Sequence, residues 1–567
     1  MNNLGRSFIA LALVVGLSPA ALATPTIRTV TADQATTEYV VAYADGASLD
    51  AARQAVVAAG GVIVKENTAV GVATVSTSNA NFSQAVATKP ALLGAARNRP
   101  IGNVDPNKPR LDTVEGLGGE SGQGQAQPGG QAAAVGVDPL ANLQWDMQMI
   151  GATASGTYAV QPGDKRVLVG IIDSGIDGSH PDIAPNFNRE LSRNFTTDIP
   201  AIDGPCEYAS CVDPADVDND GHGTHVAGTV GAALNGLGMT GVAPNITLVN
   251  VRGGQDSGYV FMQPVVDALV YSGDIGIDVV NMSFYIDPWL FNCPDNPADS
   301  PEQQMEQRTV LASVQRALDY ARKRGVTLVS SAGNNHFDLG NPPVDTSSPD
   351  YPAGISHPRV IDNATCRSLP TEGEGVISVS SIGPSKAKAD YSNYGVEQII
   401  VAAPGGYFRD FFGTPQYRQN NNQILSTYPK NVLEAGGLLF PDGTPRTATV
   451  IRDCQNGVCG YYAYLQGTSM AAPHVTGVVA LIISEYGNKD GQHKGGLTMN
   501  PVQTEKILVR SATETACPEP RLVDYTVVGR TPDFNAYCEG TAEFNGFYGY
   551  GIVSAIDAVT GPRGRDD

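Results

Sequence analysis

Gly467-Thr468-Ser469-Met470-Ala471-Ala472-Pro473-His474 sets a serine between glycine and small apolar residues, at the mouth of an apolar run from Val475 to Ile483. The stretch reads as a nucleophile presented at a helix N-terminus. Two further stretches decide whether that reading holds: Val169-Gly170-Ile171-Ile172-Asp173-Ser174-Gly175 and Gly221-His222-Gly223-Thr224-His225-Val226-Ala227-Gly228. Together they supply an Asp, a His and a Ser. A serine hydroxyl is barely ionised near neutral pH, so a neutral imidazole must take its proton during attack. A buried carboxylate must hold that imidazole in the right tautomer and stabilise the imidazolium.

Around these stretches, short Val/Ile runs alternate with helical patterns. Strands are predicted at 166–173, 247–252, 278–282, 327–331, 376–380 and 399–402. Helices are predicted at 226–234, 263–271, 310–323 and 471–486. Continuous apolar strands alternating with helices imply an α/β fold, a mostly parallel sheet with helices on both faces. In such folds the working residues lie beyond the carboxyl ends of the strands, and Asp173 ends one predicted strand.

The 567 residues suffice for about two to four domains of average size. Asp+Glu 57 against Lys+Arg 36 gives a net charge of −21, which leaves no electrostatic case for binding nucleic acid or an anionic membrane. Arg6, the apolar segment Phe8 to Leu17 and Ala21-Leu22-Ala23 form a charged start, a short apolar stretch and a small-residue cleavage site. The apolar stretch falls short of the ~20 residues that span a bilayer. Residues 1–23 are therefore a predicted signal peptide and the product is expected to be secreted, with no membrane association after its removal.

Residues 37–102 read as a small α+β unit lacking histidine and any catalytic constellation, within a first segment taken as 24–102. From 103 to 139, Gly, Gln, Ala and Ser dominate without apolar periodicity, as in a flexible linker open to proteolysis. The large domain is placed at 140–567. All eight cysteines follow the signal, and in an exported chain they favour disulfides over metal sites. Proximity in sequence suggests Cys206/Cys211, Cys293/Cys366, Cys454/Cys459 and Cys517/Cys538.

Alternative chemistries fit less well. His222 and His225 lack a third ligand and the H-E-x-x-H pattern of zinc hydrolases. Ser469 sits in something like a nucleophile elbow whose last glycine is alanine, but an α/β-hydrolase places its serine before its acid and its histidine. Here only His474 and His493 follow Ser469, and His474 is too near on the same helix. Ser331-Ala332-Gly333-Asn334-Asn335 supplies the remaining requirement, small residues for substrate approach and an Asn334 amide to meet developing negative charge.

With the order Asp173, His222, Ser469 and the Ala-Gly-Asn segment, the chain resembles the subtilisin-like (S8) serine peptidases. Matches run from about Trp145 to Ala555 and include Asn281-Met282-Ser283, Gly241-Val242-Ala243-Pro244, Ala403-Pro404-Gly405 and Gly549 to Ala555. The resemblance implies Asp173 as orienting acid, His222 as general base and acid, and Ser469 as nucleophile. Asn334 and the Ser469 N–H would form the oxyanion hole. It implies Gly258 and Tyr259 at the non-primed subsites, and Ser283, Phe284, Ser331, Ala332 and Gly333 around the first pocket. The bulky Phe284-Tyr285-Ile286 departs from the small residues common there. Residues 37–102 resemble the family's inhibitory propeptide.

No cofactor is expected for the chemistry. Asp182 matches a family calcium ligand, although its partner loop, Leu234 to Met239, is about one residue shorter than usual. The run Asp213 to Asp220 reads first as a solvated acidic turn, with independent calcium binding as the alternative. The long segments Pro342 to Cys366 and Tyr407 to Val458 are expected as surface insertions around the cleft. The expectation is a monomeric, secreted endopeptidase made as a zymogen and acting on protein or peptide. The alternatives are a processing peptidase for one exported peptide and a catalytically silent binding protein.

Overall fold

The computed structural model describes residues 36–98, 137–352 and 354–561. The predicted signal peptide lies outside them, as does the predicted linker apart from its last residues.

The first segment pairs short runs rich in Val and Ala into an antiparallel sheet of order β2-β3-β1-β4: β1 (Thr37–Tyr43), β2 (Gly61–Asn67), β3 (Val72–Thr77) and β4 (Leu92–Arg97). Helices Leu49–Ala58 and Phe82–Ala87 cover one face. Strand β4 was not anticipated, because Leu-Leu-Gly-Ala-Ala-Arg is short and rich in small residues. Its opposite face lies on helix Pro301–Lys323, where Val40, Val72 and Ala96 join Val310 and Val314 in one apolar cluster.

The main sheet has seven strands: β5 (Leu168–Ile172), β6 (Arg193–Asn194), β7 (Thr247–Arg252), β8 (Val279–Met282), β9 (Thr327–Ser331), β10 (Val376–Ile382) and β11 (Val401–Pro404). Their order is β11-β10-β9-β8-β5-β7-β6 and every pairing is parallel. Alternation along β5 shows why both faces need cover. Val169 and Ile171 enter the core with helices His222–Gly231 and Thr468–Tyr486, whereas Leu168 and Ile172 enter that of Met262–Ile275 and Pro301–Lys323. From Thr468 to Ile483 every residue of the serine-bearing helix is buried, which accounts for its continuous apolar run.

The segment expected as a surface insertion is in part a structural layer. Strands β12 (Ile424–Thr427), β13 (Val450–Gln455) and β14 (Val458–Leu465) form an antiparallel sheet of order β12-β14-β13 against helix His222–Gly231. All of β12 and most of β14 are buried. The four disulfides follow the proximity pairing, Cys206–Cys211, Cys293–Cys366, Cys454–Cys459 and Cys517–Cys538. Among the described residues no helix is long and apolar enough to cross a membrane.

Candidate active site

Asp173 follows β5 directly, His222 opens helix His222–Gly231, and Ser469 is the second residue of helix Thr468–Tyr486. The three converge on a cleft of about 360 Å³ that Asn334 also lines. Asp173 Oδ1 lies 2.8 Å from His222 Nδ1 and also accepts the Ser174 N–H at 2.7 Å. The carboxylate thus fixes the proton on Nδ1 and leaves Nε2 as the basic nitrogen. The glycine between the two histidine-motif residues is there for room: a Cβ on Gly223 would stand 2.1 Å from Gly175 O and 3.1 Å from Asp173 Cβ.

Ser469 is tied on both sides. Its Oγ donates to Ser283 O at 3.2 Å, while Ser283 Oγ donates to Ser469 O at 3.0 Å. Asn281 Nδ2 in turn reaches Ser283 Oγ at 2.8 Å, so the Asn281-Met282-Ser283 segment braces the turn that carries Ser469. At the second position of a helix, the Ser469 N–H has no intrahelical acceptor and stands at the positive end of the helix dipole. Asn334 Oδ1 accepts the Thr468 N–H at 2.8 Å and the Thr468 hydroxyl at 2.9 Å. Those donors settle which end of the amide is oxygen and make its NH₂ end the donor toward the cleft.

Of the residues expected at the subsites, Gly258, Ser283, Phe284, Ser331, Ala332 and Gly333 line the cleft. Tyr259 does not. Its ring stacks on Phe261 and meets Tyr351 edge-on. Tyr285 lines the cleft as well, and its hydroxyl donates to Asp350 Oδ2 at 2.9 Å.

Several supporting residues escaped the sequence reading. Asp218 accepts the Thr224 N–H at 2.9 Å, the Gly221 N–H at 2.8 Å and the Ser174 hydroxyl at 3.1 Å, and so caps the histidine helix. The Asp-Asn-Asp run just before Gly221 carried that signal, but was read as a turn. Asn393 accepts the Asn335 and Phe337 N–H groups and donates to Ala332 O at 3.0 Å, holding the Ala-Gly-Asn segment in place. Tyr428, Val432, Gly436 and Leu438 also line the cleft. Nothing in their local pattern separates them from an ordinary loop.

The two other histidines of the site motifs, His225 and His474, are committed elsewhere. Burial drives His225 down to about 3, so it is neutral, and its Nε2 meets Ile424 O and Ala463 O at 3.2 and 3.1 Å. His474 bonds Asp146 Oδ2 at 3.0 Å.

Asp182, the expected calcium ligand, faces donors. Its Oδ2 accepts the Tyr462 hydroxyl at 2.7 Å and the Met239 N–H at 3.3 Å, and its Oδ1 accepts Asn235 Nδ2 at 3.2 Å. Burial raises its pKa to about 7. A hydroxyl and amides already occupy its acceptor sites, so these surroundings do not fit a cation.

The fold is subtilisin-like, and a family model described as the subtilase family (peptidase S8) matches residues 164–551. The chain belongs to that family, and by family it is a subtilisin-like serine peptidase. It is 29% identical over 387 residues to fervidolysin of Fervidobacterium pennivorans, an alignment covering 66% of this chain and 41% of that protein. It is 28% identical to subtilisin DY of Bacillus licheniformis, over 57% of this chain and 78% of that one. A third relative, the nisin leader peptide-processing serine protease NisP of Lactococcus lactis, is 28% identical over 66% of this chain and 47% of its own length. The chain thus spans less than half of fervidolysin and of NisP. Among solved structures, the epidermin leader peptide processing serine protease of Staphylococcus aureus shares the fold at a TM-score of 0.59. Its identity is 20%, covering 94% of this chain and all of that one.

Proposed function

We propose that the chain is a secreted serine endopeptidase that hydrolyses protein or peptide substrates through Asp173, His222 and Ser469. The observation that carries this is the 2.8 Å contact between Asp173 Oδ1 and His222 Nδ1, facing a cleft that also holds Ser469 at a helix N-terminus. Ser469 Oγ attacks the scissile carbonyl as His222 Nε2 takes its proton, with Asp173 stabilising the imidazolium. The Asn334 NH₂ and the Ser469 N–H receive the oxyanion. His222 then gives the proton to the leaving amine, which departs as the acyl-enzyme forms. Water, deprotonated by the same imidazole, releases the acid and restores Ser469. No cofactor takes part.

On the same reading residues 24–102 are the inhibitory propeptide, the maturation site lies in 103–139, and the mature enzyme is a monomer. A fluorophosphonate probe should label the processed protein at Ser469, and labelling should vanish in Ser469→Ala. That variant should also leave the precursor uncut if maturation is autocatalytic. Absence of labelling in processed wild type would leave a silent binding protein on this fold.

A narrower reading has its own support. NisP and the epidermin leader peptide-processing protease EpiP, 26% identical over 62% of this chain, are named as processing enzymes. Tyr285, Tyr428 and Leu438 all line the cleft here. Broad hydrolysis of casein would count against a dedicated processing role.

A further inference from the structure

Two residues beyond Asn334, His336 holds a left-handed backbone, with φ 57°. Residues with a Cβ avoid that region and persist there only where their surroundings fix them. Here the surroundings form a closed circuit. The His336 N–H donates to Tyr391 O at 2.7 Å. Its ring stacks on Phe534, with centroids 3.8 Å apart and planes 20° from parallel, and its Nε2 lies 3.2 Å from Asp533 Oδ2. The Arg530 guanidinium stands 4.8 Å from the centre of the same Phe534 ring, while its Nε donates to Asp390 Oδ2 at 2.5 Å. Asp390 is buried and adjoins Tyr391, where the circuit closes. Arg530, Asp533 and Phe534 all belong to the loop that Cys517–Cys538 ties off, the last two within its short helical turn Pro532–Phe534.

Residues 332–337 lie past the end of β9 and outside any strand, so no sheet ladder sets their path. Thr468 fixes the Asn334 amide oxygen, but the main chain that carries it is set by its neighbours on either side. The Asn393 N–H donates to Gly333 O at 2.9 Å, and the Gly333 N–H donates to Thr468 Oγ1 at 3.0 Å. On the other side the anchor is His336. Burial keeps its imidazole below the ordinary histidine range; Asp533 pulls the other way, and Lys388 and Arg530 act with burial. The ring is therefore neutral at pH 7, and it stacks on a phenyl face without carrying a charge out of water. None of His336, Asp533 and Phe534 lines the cleft, so they bear on the reaction only through the segment that they hold.

We propose that His336 is a positioning residue for Asn334: it fastens the Cys517–Cys538 loop to the oxyanion segment and so holds the amide where negative charge develops. The proposal rests on the oxyanion role given to Asn334 above. A donor serves there only at about 2.7–3.1 Å from the oxyanion. A misplacement of ~1 Å costs about 10²-fold in rate. A loop far along the chain thereby acts on kcat without touching substrate.

The test is a double-mutant cycle on the processed enzyme, read by steady-state kinetics on a peptide amide. His336→Asn keeps a residue that tolerates the left-handed region but loses the stacking ring. Phe534→Ala removes the other ring, from a loop outside the cleft. Each is expected to lower kcat about three- to tenfold, with KM within about twofold of the parent. In the Asn334→Ala background each is expected to lower kcat less than about twofold, because the donor they position is gone. Either variant suffices should the other fail to fold. Unchanged kcat in the folded single variants, or the same fold loss with and without the Asn334 amide, would overturn the proposal. Parental kcat in Asn334→Ala alone would instead remove the oxyanion role itself, and this proposal with it.

Discussion

On the proposed mechanism, Asn334 works through the orientation of one amide. Thr468 holds its oxygen with two hydrogen bonds, so the NH₂ end is poised before substrate arrives and needs no reorganisation during the reaction. Asn334→Ala should lower kcat about 10²–10³-fold with little change in KM, because the oxyanion exists only in the transition state. Steady-state kinetics on a peptide amide checks this, and an unchanged kcat would remove Asn334 from that role. Gly223 makes a steric prediction. A methyl group there meets Gly175 O at 2.1 Å, so Gly223→Ala should displace the strand end bearing Asp173. A loss of about 1–3 kcal/mol of stability is expected, as for other overpacked sites, with activity falling further than stability. That Asp173, His222 and Ser469 share one cleft was legible because each stands in its own short motif. Asp218 and Asn393 were not legible. They act by bonding backbone brought close by the fold, and an Asp or Asn in a polar loop looks the same whether or not it does so.

At the scale of elements, six strands of the parallel sheet were readable because they carry buried apolar runs, whereas β6, the polar pair Arg193–Asn194, was not. Helix starts were less legible. Helix Pro301–Lys323 was predicted from Val310 because its apolar periodicity begins there, yet Ser300 and Gln303 form a capping box nine residues earlier. The sheet of β12 to β14 was missed for another reason. Its strands pack on the histidine helix through long-range contacts, and Asn, Pro and Gly in the flanking loops gave the whole stretch the look of a surface insertion. This seam gives the molecule a pH dependence. His225 bonds Ile424 O and Ala463 O from within the core, with its pKa lowered by burial to about 3. The unfolded chain therefore binds a proton that the folded one refuses. Stability from this group is full well above pH ~6.5 and is lost as pH falls toward 3, by about 3 kcal/mol at pH 4.5. Melting temperatures at pH 7 and 4.5 should differ less in His225→Gln than in the parent. Equal slopes would move the acid sensitivity elsewhere.

Across the whole molecule, the N-terminal unit is held on helix Pro301–Lys323 by close approach and charge. Gly94 permits that approach, since a Cβ there would stand 2.4 Å from Thr309 Oγ1. Arg316 donates to Tyr43 O, Lys65 pairs with Asp267, and the Arg97 N–H donates to Glu306 Oε1 at 3.0 Å. Glu306 is the group whose charge opposes docking. Burial raises its pKa from the usual carboxylate range to about 7. If the unit leaves, Glu306 regains water, so the docked state binds the extra proton. Docking is then strongest below pH ~4.5 and weakens as pH rises through 7. Read as a propeptide, residues 24–102 added in trans should inhibit the processed enzyme, with an inhibition constant about twentyfold larger at pH 7.5 than at pH 5.5. Glu306→Gln keeps an acceptor for the Arg97 N–H without the charge. It should bind the unit more tightly at pH 7.5 and flatten the profile, whereas Gly94→Val should weaken inhibition at every pH. A Glu306→Gln enzyme with the parental slope would show that the proton is taken up by another group.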